Sequence, residues 1–528
     1  MNPDVVEIDA GVSSAHSLTD LLAQRGHPLN ARCGQRGLCR GCMVDVFDGE
    51  LSDADGALVT RGATVRSCQM RLRGNGKVVL RIHSQARISS APQVGETFFV
   101  DVPCELSPLF PPGPGKDTGF AVDVGTTTVV VLLADLTTGE VLARAGDFSA
   151  QIRFGDNVIT RIGAASDPAR RREMRRVLIE ETLLPLLNKV LASAGRDVSR
   201  LAGGCIAGNT TMLHILADED PTSLGIAPFT ARFLEGRVLQ SDEIGFGHGL
   251  PLQLLPGLSA YIGADIAAGV HATGMTLDPS PSLLVDMGTN GEVVLSSDGR
   301  FVGCATAAGP AFEGAGLSCG TRAQDGAVSV FRMALDPFSV GTETIGGKPL
   351  RAGICGSAYI DFLAMARACG LLRENGRFDR KLWANLPSHH RVESDDGFAF
   401  RVSGNDGPSI SEIDIAHLLQ AKAAIGAGIE TLLTETGITA SEIGRVYLAG
   451  GFGMHVDVAH AIAISLLPGF RPEQVRVVGN TSLAGALLAL LDRTVLAEME
   501  TLRNRIQVIE LNLQPGFEDR YIDHLSLP

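Results

Sequence analysis

The chain has 528 residues, 45% hydrophobic and 20% charged, enough to bury the cores of several domains. A net charge of −14, a pI near 5.4 and 5% aromatics argue against nucleic acid as a partner, because phosphate backbones are repelled and bases find few rings to stack on. No apolar run approaches the ~18 residues of a membrane span, and the opening residues lack the basic start and apolar core of an export signal, so a cytoplasmic location without membrane contact is expected.

Four cysteines near the N-terminus, Cys33, Cys39, Cys42 and Cys68, are spaced C-x5-C-x2-C with a distant fourth. A 2Fe–2S rhomb needs four thiolates; a tight loop wraps three of them and the fourth returns from elsewhere. Glycines at 34, 37 and 41 permit positive φ and let backbone N–H groups turn toward the sulfides. Zinc is the rival metal, but zinc sites usually show two short C-x2-C pairs and here one pair stands alone. Plant-type spacing has one residue fewer between the first two cysteines, so the arrangement is similar to the adrenodoxin-like variant, and a cluster potential does not transfer with it. Around the ligands, residues 17–26 read as a short helix, and residues 42–47 and 77–82 as strands by alternation and β-branching. Residues 1–85 resemble the β-grasp 2Fe–2S ferredoxin fold. They hold 10 Lys+Arg against 9 Asp+Glu, so the acidity belongs to the remainder, and Arg32, Arg36 and Arg40 lie beside the ligands. A locally positive face and scattered solvated arginines are both open readings of those three. The other cysteines, at 104, 205, 304, 319, 355 and 369, show no ligand spacing and are expected to be buried reduced thiols.

Residues 86–117 read as a linker, with prolines that favour extended backbone and glycines that relax it. Such a tether lets a cluster swing; the alternative is a connector packed on the next domain, with residues 94–103 as a strand.

From residue 118 the chain repeats a design. One copy reads strand, Asp123, the turn Gly125-Thr126-Thr127, strand; the other reads strand, Asp286, the turn Gly288-Thr289-Asn290, strand; a third strand follows each. This predicts two similar subdomains, residues 118–280 and 281–528, facing across a cleft. A Gly and Thr hairpin turn offers N–H groups and hydroxyls to a phosphate, and small side chains allow close approach. Asp123 and Asp286 would repel phosphate themselves and suit hydrated Mg²⁺. A third element, a buried strand running into Gly450, Gly451 and Gly453, leaves room for an adenine or ribose. In that order the elements resemble the superfamily of sugar kinases, heat-shock chaperones and actin, which implies an α/β, RNase H-like ATPase fold binding ATP. No Walker A sequence is present.

A cluster module joined to this ATPase fold resembles the reductive activators of corrinoid proteins. The resemblance covers nearly the whole chain and includes residues 151–162, 208–214, 224–229, 263–269 and 309–320. It departs where the linker passes directly into the first phosphate turn, since some relatives carry an extra middle domain. The resemblance implies a 2Fe–2S cluster, ATP and Mg²⁺ as cofactors, and a corrinoid protein and a low-potential electron donor as partners. A homodimer is an assembly to test. It also implies ATP-dependent return of Co(II) to Co(I) in a methyltransferase system. With plant-type clusters near −400 mV and the cobalt couple lower, transfer runs uphill by about 1.4 kcal/mol per ~59 mV of gap.

Two rival readings are a small-molecule kinase with a redox-sensing ferredoxin domain and an electron-carrier scaffold without ATPase activity; the two intact Asp123 and Asp286 turns argue against the latter. Activators of radical-type acyl-CoA dehydratases share the ATPase fold but lack a ferredoxin module. His214 and Met365 read as core residues, and Trp383 as part of a polar surface insertion at residues 373–407. Asp265 and Glu313, in glycine-rich stretches, either orient water or a partner, or serve as helix caps and loop acceptors.

Overall fold

The computed structural model describes residues 5–9, 16–27, 29, 35, 42–53, 55–73, 77–82, 97–98, 102–155, 157–350, 353–394, 397–404, 407–451 and 455–528. Near the N-terminus, the Ser17 hydroxyl accepts the Asp20 N–H at 3.1 Å and starts the helix Leu18–Gln24. A four-stranded antiparallel sheet runs in the order Val5–Asp9, Lys77–Ile82, Met43–Asp48, Thr64–Arg66. In Lys77–Ile82 the alternation turns Val78, Leu80 and Ile82 inward, where they share a core with Leu18, Leu21 and Leu22 of the helix.

Parts of what the sequence offers as a linker are docked, while residues 111–116 are exposed. Phe98 pairs antiparallel with Gly479, and the Asn480 N–H donates to the Thr97 carbonyl at 3.0 Å. Further on, the N–H groups of Ser107 and Leu109 donate to Leu491 and Leu490, each at 2.9 Å. Of the strand expected at residues 94–103, the described part shows that single bridge.

Two six-stranded sheets follow. The first has the order Val141–Phe148, Thr128–Asp135, Thr118–Val124, Leu201–Gly208, Pro251–Leu254, Arg237–Gln240. The second runs Val475–Gly479, Arg445–Ala449, Ser282–Met287, Gly291–Ser297, Arg300–Thr306, Ile506–Val508. Each begins with a three-stranded antiparallel meander, and in each a later strand lies parallel to the meander's first. Their central strands are buried on both faces, which is why they read as unbroken Val, Leu and Ala runs.

Two helices lock the sheets together by exchange. Ala264–Ala272, which follows the first sheet, places Ile266 and Val270 against Leu284 and Tyr447 of the second. Thr481–Leu491, which follows Val475–Gly479, places Leu483, Leu487 and Leu490 in the core of the first. Residues grouped by sequence with the second subdomain thus complete the first.

Three expectations are corrected. Trp383 is 4% exposed, sits edge-on to Phe398 at 4.3 Å and belongs to the core of the second half, because residues 373–407 fold partly into the helix Arg380–Asn385 and strands that cover it. Cys205, Cys304 and Cys355 are buried thiols, but Cys319 and Cys369 are half-buried and Cys104 is exposed in the docked connector. Met365 is only partly buried at the rim of the core. Among the described residues, no helix is long and apolar enough to cross a membrane.

Candidate functional site

The two meander turns meet at the mouth of a cavity of about 200 Å³. The first sheet contributes Asp123, Gly125, Thr126 and Thr127, and the second Asp286, Gly288, Thr289 and Asn290; Gly450 and Gly451 close one side. Gly453 lies outside the described residues. Within the first turn the Gly125 N–H donates to the Thr128 carbonyl at 3.0 Å, and a Cβ on Gly125 would stand 2.6 Å from that same oxygen. Gly288 by contrast faces open space, its nearest obstacle 3.8 Å away. Gly450 lines the cavity and also lets two strands approach. Its φ is +93°, and a Cβ there would overlap the Met287 carbonyl, so the glycine lets this strand end close against the one carrying Asp286.

Long-range contacts hold the turns. Asp123 accepts from Asn480 Nδ2 at 2.9 Å and from Ser482 Oγ at 2.8 Å, both at the N-terminus of the exchanged helix Thr481–Leu491. Thr126 Oγ1 accepts from Asn209 Nδ2 at 2.9 Å, while Asn209 Oδ1 caps the helix Thr210–Leu216. The fully buried Arg161 guanidinium donates to the Thr126 carbonyl and, at 3.1 Å, to the Gly155 carbonyl, fixing the backbone of the turn from behind. Across the cleft Thr127 Oγ1 and Thr289 Oγ1 lie 3.3 Å apart, and Glu313 accepts from the first at 3.1 Å and the second at 3.3 Å.

The site is crowded with carboxylates. Burial, then the neighbouring Asp265 and Asp123, push Asp286 up to about 8. Burial and Asp123 push Asp265 up to about 7, and burial with Asp265 and Asp286 holds Glu292 well above the usual carboxylate range. Burial raises Asp123 as well, against the hydrogen bonds from Ser482 and Asn480. Among the described residues no three Asp, Glu, His or Cys side chains gather closely enough to hold a metal ion directly, so a divalent cation here would have to keep part of its water shell. Arg322 lines the same cavity, its guanidinium 5.0 Å from the Phe148 ring centre. Asp265 sits in the first turn of its helix, accepts the Ile266 N–H at 2.9 Å as a terminal acceptor does, and lines this cavity.

At the other end of the chain, Cys42 and Cys68 come together. Met43 pairs with Arg66, so Cys42 and the turn Ser67–Gln69 sit one step beyond the register at the same end of the sheet, and the Ser67 N–H donates to the Cys42 carbonyl at 3.0 Å. Both cysteines are buried. Gln69 Nε2 donates to Cys68 Sγ at 3.5 Å and to the Gln35 carbonyl at 2.8 Å, while the Gln35 side chain bonds Ser17 and Asp20. Gln35 stands between Cys33 and Cys39 in sequence; Cys33 and Cys39 themselves lie outside the described residues. Soft thiolates suit an iron–sulfur cluster.

His214 is a core histidine: its Nε2 accepts from the Arg232 N–H at 3.1 Å, so Nδ1 donates to the Thr210 carbonyl at 2.7 Å, and burial lowers its basicity. Sequence reasoning missed Arg161, Glu292, Arg322, Asn209, Asn480 and Ser482. The only local signal was the Asn-Thr pair opening two helices, at residues 209–210 and 480–481.

Similarity to known proteins extends along nearly the whole chain. The model of the RACo middle region matches residues 118–278, and that of the C-terminal domain of RACo, the ASKHA domain, matches residues 280–528. The middle region thus coincides with the segment read above as the first ATPase subdomain, which corrects the expectation that this chain departs from some relatives by lacking a middle domain. Corrinoid activation enzyme RamQ of Eubacterium limosum is 28% identical, with 98% of this chain and 97% of that one covered. The [Co(II) methylated amine-specific corrinoid protein] reductase of Methanosarcina barkeri is 26% identical over 77% of this chain and 76% of its own. A solved structure, the reductive activator for corrinoid,iron-sulfur protein, superposes with a TM-score of 0.73 at 29% identity, covering 98% of this chain and 96% of that one. Two Gly-Thr turns over a carboxylate-lined cleft, a cysteine-bearing N-terminal sheet and similarity along nearly the whole length together show that this chain belongs to the RACo family, the reductive activators of corrinoid proteins.

Proposed function

We propose that this enzyme spends ATP to reduce the cobalt of a corrinoid protein by one electron, returning Co(II) to Co(I) in a methyltransferase system. The observation that carries the reading is the similarity over 98% of the chain to a reductive activator, in a molecule whose cleft has the chemistry of a nucleotide site. Residues 1–85 are the ferredoxin-like part, with Cys33, Cys39, Cys42 and Cys68 as ligands of a 2Fe–2S cluster; the shared sheet end of Cys42 and Cys68 supports this. A bound cluster supplies a single low-potential electron. Residues 86–117 connect it to an ATPase of two related subdomains, residues 118–280 and 281–528, and the equal strand orders of the two meanders support a duplication.

In the cleft, the turns Gly125-Thr126-Thr127 and Gly288-Thr289-Asn290 bind the phosphates through N–H groups and hydroxyls, and Gly450, Gly451 and Gly453 border the nucleoside. Asp123 and Asp286 hold hydrated Mg²⁺, which neutralises charge on the phosphates. Asn480 and Ser482 keep Asp123 turned into the cleft. The protein works in the cytoplasm, receives electrons from a low-potential donor, and is to be tested as a homodimer.

The test mixes the reduced, cluster-loaded full chain with a Co(II) corrinoid protein and follows the visible spectrum. Co(I) absorption that grows only with Mg-ATP is the expected result. Equal spectra with and without Mg-ATP, across corrinoid partners, would overturn the reading.

A further inference from the structure

The carboxylates of the cleft fall into two groups. Asp265 feels Asp123, Asp286 feels both, and Glu292 feels Asp265 and Asp286, so these four make one electrostatic cluster. Glu313 stands apart from them. Its charged neighbour is Arg322, and its hydrogen bonds go to Thr127 and Thr289, one from each phosphate turn. A group that touches both turns at once lies where the end of a phosphate chain bound between them must arrive.

We infer that Glu313 orients the water that attacks the terminal phosphate of the bound nucleotide. Each carboxylate oxygen has two lone pairs, so Glu313 can accept from a water whether phosphate leaves its threonine contacts in place or takes those hydroxyls over. The water oxygen bonds to the γ-phosphorus as the bond from that phosphorus to the β,γ-bridging oxygen breaks. The electron pair of the broken bond leaves with ADP, and the water proton passes to the Glu313 carboxylate and on to solvent.

The backbone holds Glu313 in place for this task. The turn Pro310–Glu313 buries Ala311 and Phe312 and is bracketed by Gly309 and Gly314 at φ +71° and +77°. A Cβ at Gly314 would stand 2.5 Å from the Thr321 nitrogen, so the turn is packed against the strand-like segment that leads to Arg322. Rigid backbone on both sides is what an orienting group needs.

The inference rests on the reading that the protein hydrolyses ATP, and the experiment separates the two. ATP hydrolysis and the affinity for a non-hydrolysable ATP analogue are measured on the full chain, as wild type, Glu313→Gln and Glu313→Asp. In Glu313→Gln kcat is expected to fall about 10²- to 10⁴-fold, while the analogue's Kd stays within about threefold. Glu313→Asp, which keeps the charge but draws it back, is expected to retain an intermediate kcat. An unchanged kcat in Glu313→Gln overturns the inference. So does a Kd that rises in step with lost activity, since Glu313 would then only brace the two turns. A wild type that hydrolyses no ATP overturns the reading beneath it.

Discussion

Lys422 carries an ammonium group into the interior of the second half of the molecule. It is wholly buried, and its Nζ donates to the carbonyls of His524 at 2.6 Å and Ser526 at 2.9 Å; burial lowers its pKa from 10.5 to about 8. Between those two values the unfolded chain holds the proton that the folded chain has released. Stability on this account therefore rises as pH climbs from about 8 toward 10.5, and is lowest below 8, where the charged form must stay buried. Melting temperatures across that interval should climb more steeply in wild type than in Lys422→Met; parallel curves would show that Lys422 does not titrate there. At this scale, legibility followed distance along the chain. The two aspartate turns were readable because each is complete within a few residues. The partners of Asp123 and Glu313 were not, since those bonds join residues 357 and 186 positions apart.

Helix crossing sets the next scale. Thr481–Leu491 lies against Ala264–Ala272 with Gly485 on Ala268, so closely that a Cβ at 485 would overlap the Ala268 backbone; a Cβ at Gly269 would stand 2.7 Å from Thr481 Oγ1. One of these helices carries Asp265, and the other presents Asn480 and Ser482 to Asp123. Gly485→Ala should cost about 1–3 kcal/mol of stability by overpacking. It should also lower ATP hydrolysis, because wedging the helices apart draws Ser482 off Asp123. Calorimetry and phosphate release measure the two effects on one sample; an unchanged melting temperature would show that the crossing is looser than its glycines suggest. Strands and turns were legible because period and turn residues declare them, and the buried helix because Thr481–Leu491 has no polar face. Its exchange onto the first sheet was not, because nothing in an all-apolar helix names the surface it covers. Trp383 misled for the related reason that polar neighbours at the surface hid a side chain pointing inward.

At the scale of the whole molecule, the cleft has one wall from each half. Glu313 and Thr289 of one half bond Thr127 of the other, and the exchanged helices bind both. Nucleotide entering between the walls competes with those bonds and so changes how the halves meet. A partner that grips both halves feels the difference. The dissociation constant of the Co(II) corrinoid protein is therefore expected to differ about fivefold or more among the ATP, ADP and nucleotide-free states. Equal constants would remove the role proposed for hydrolysis in binding and release.

Where the connector touches down limits how far the electron can travel. A chain running loose from Ile82 to the first strand at Thr118 would let the cysteine-bearing sheet roam over a radius of about 120 Å. Its anchorage at Phe98 and Gly479 shortens the leash to residues 83–96, whose ends cannot lie more than about 50 Å apart in any conformation. The leash is tied beside Asn480, whose side chain holds Asp123. On the function proposed above, a redox acceptor must therefore come within reach of that tether to be served at all.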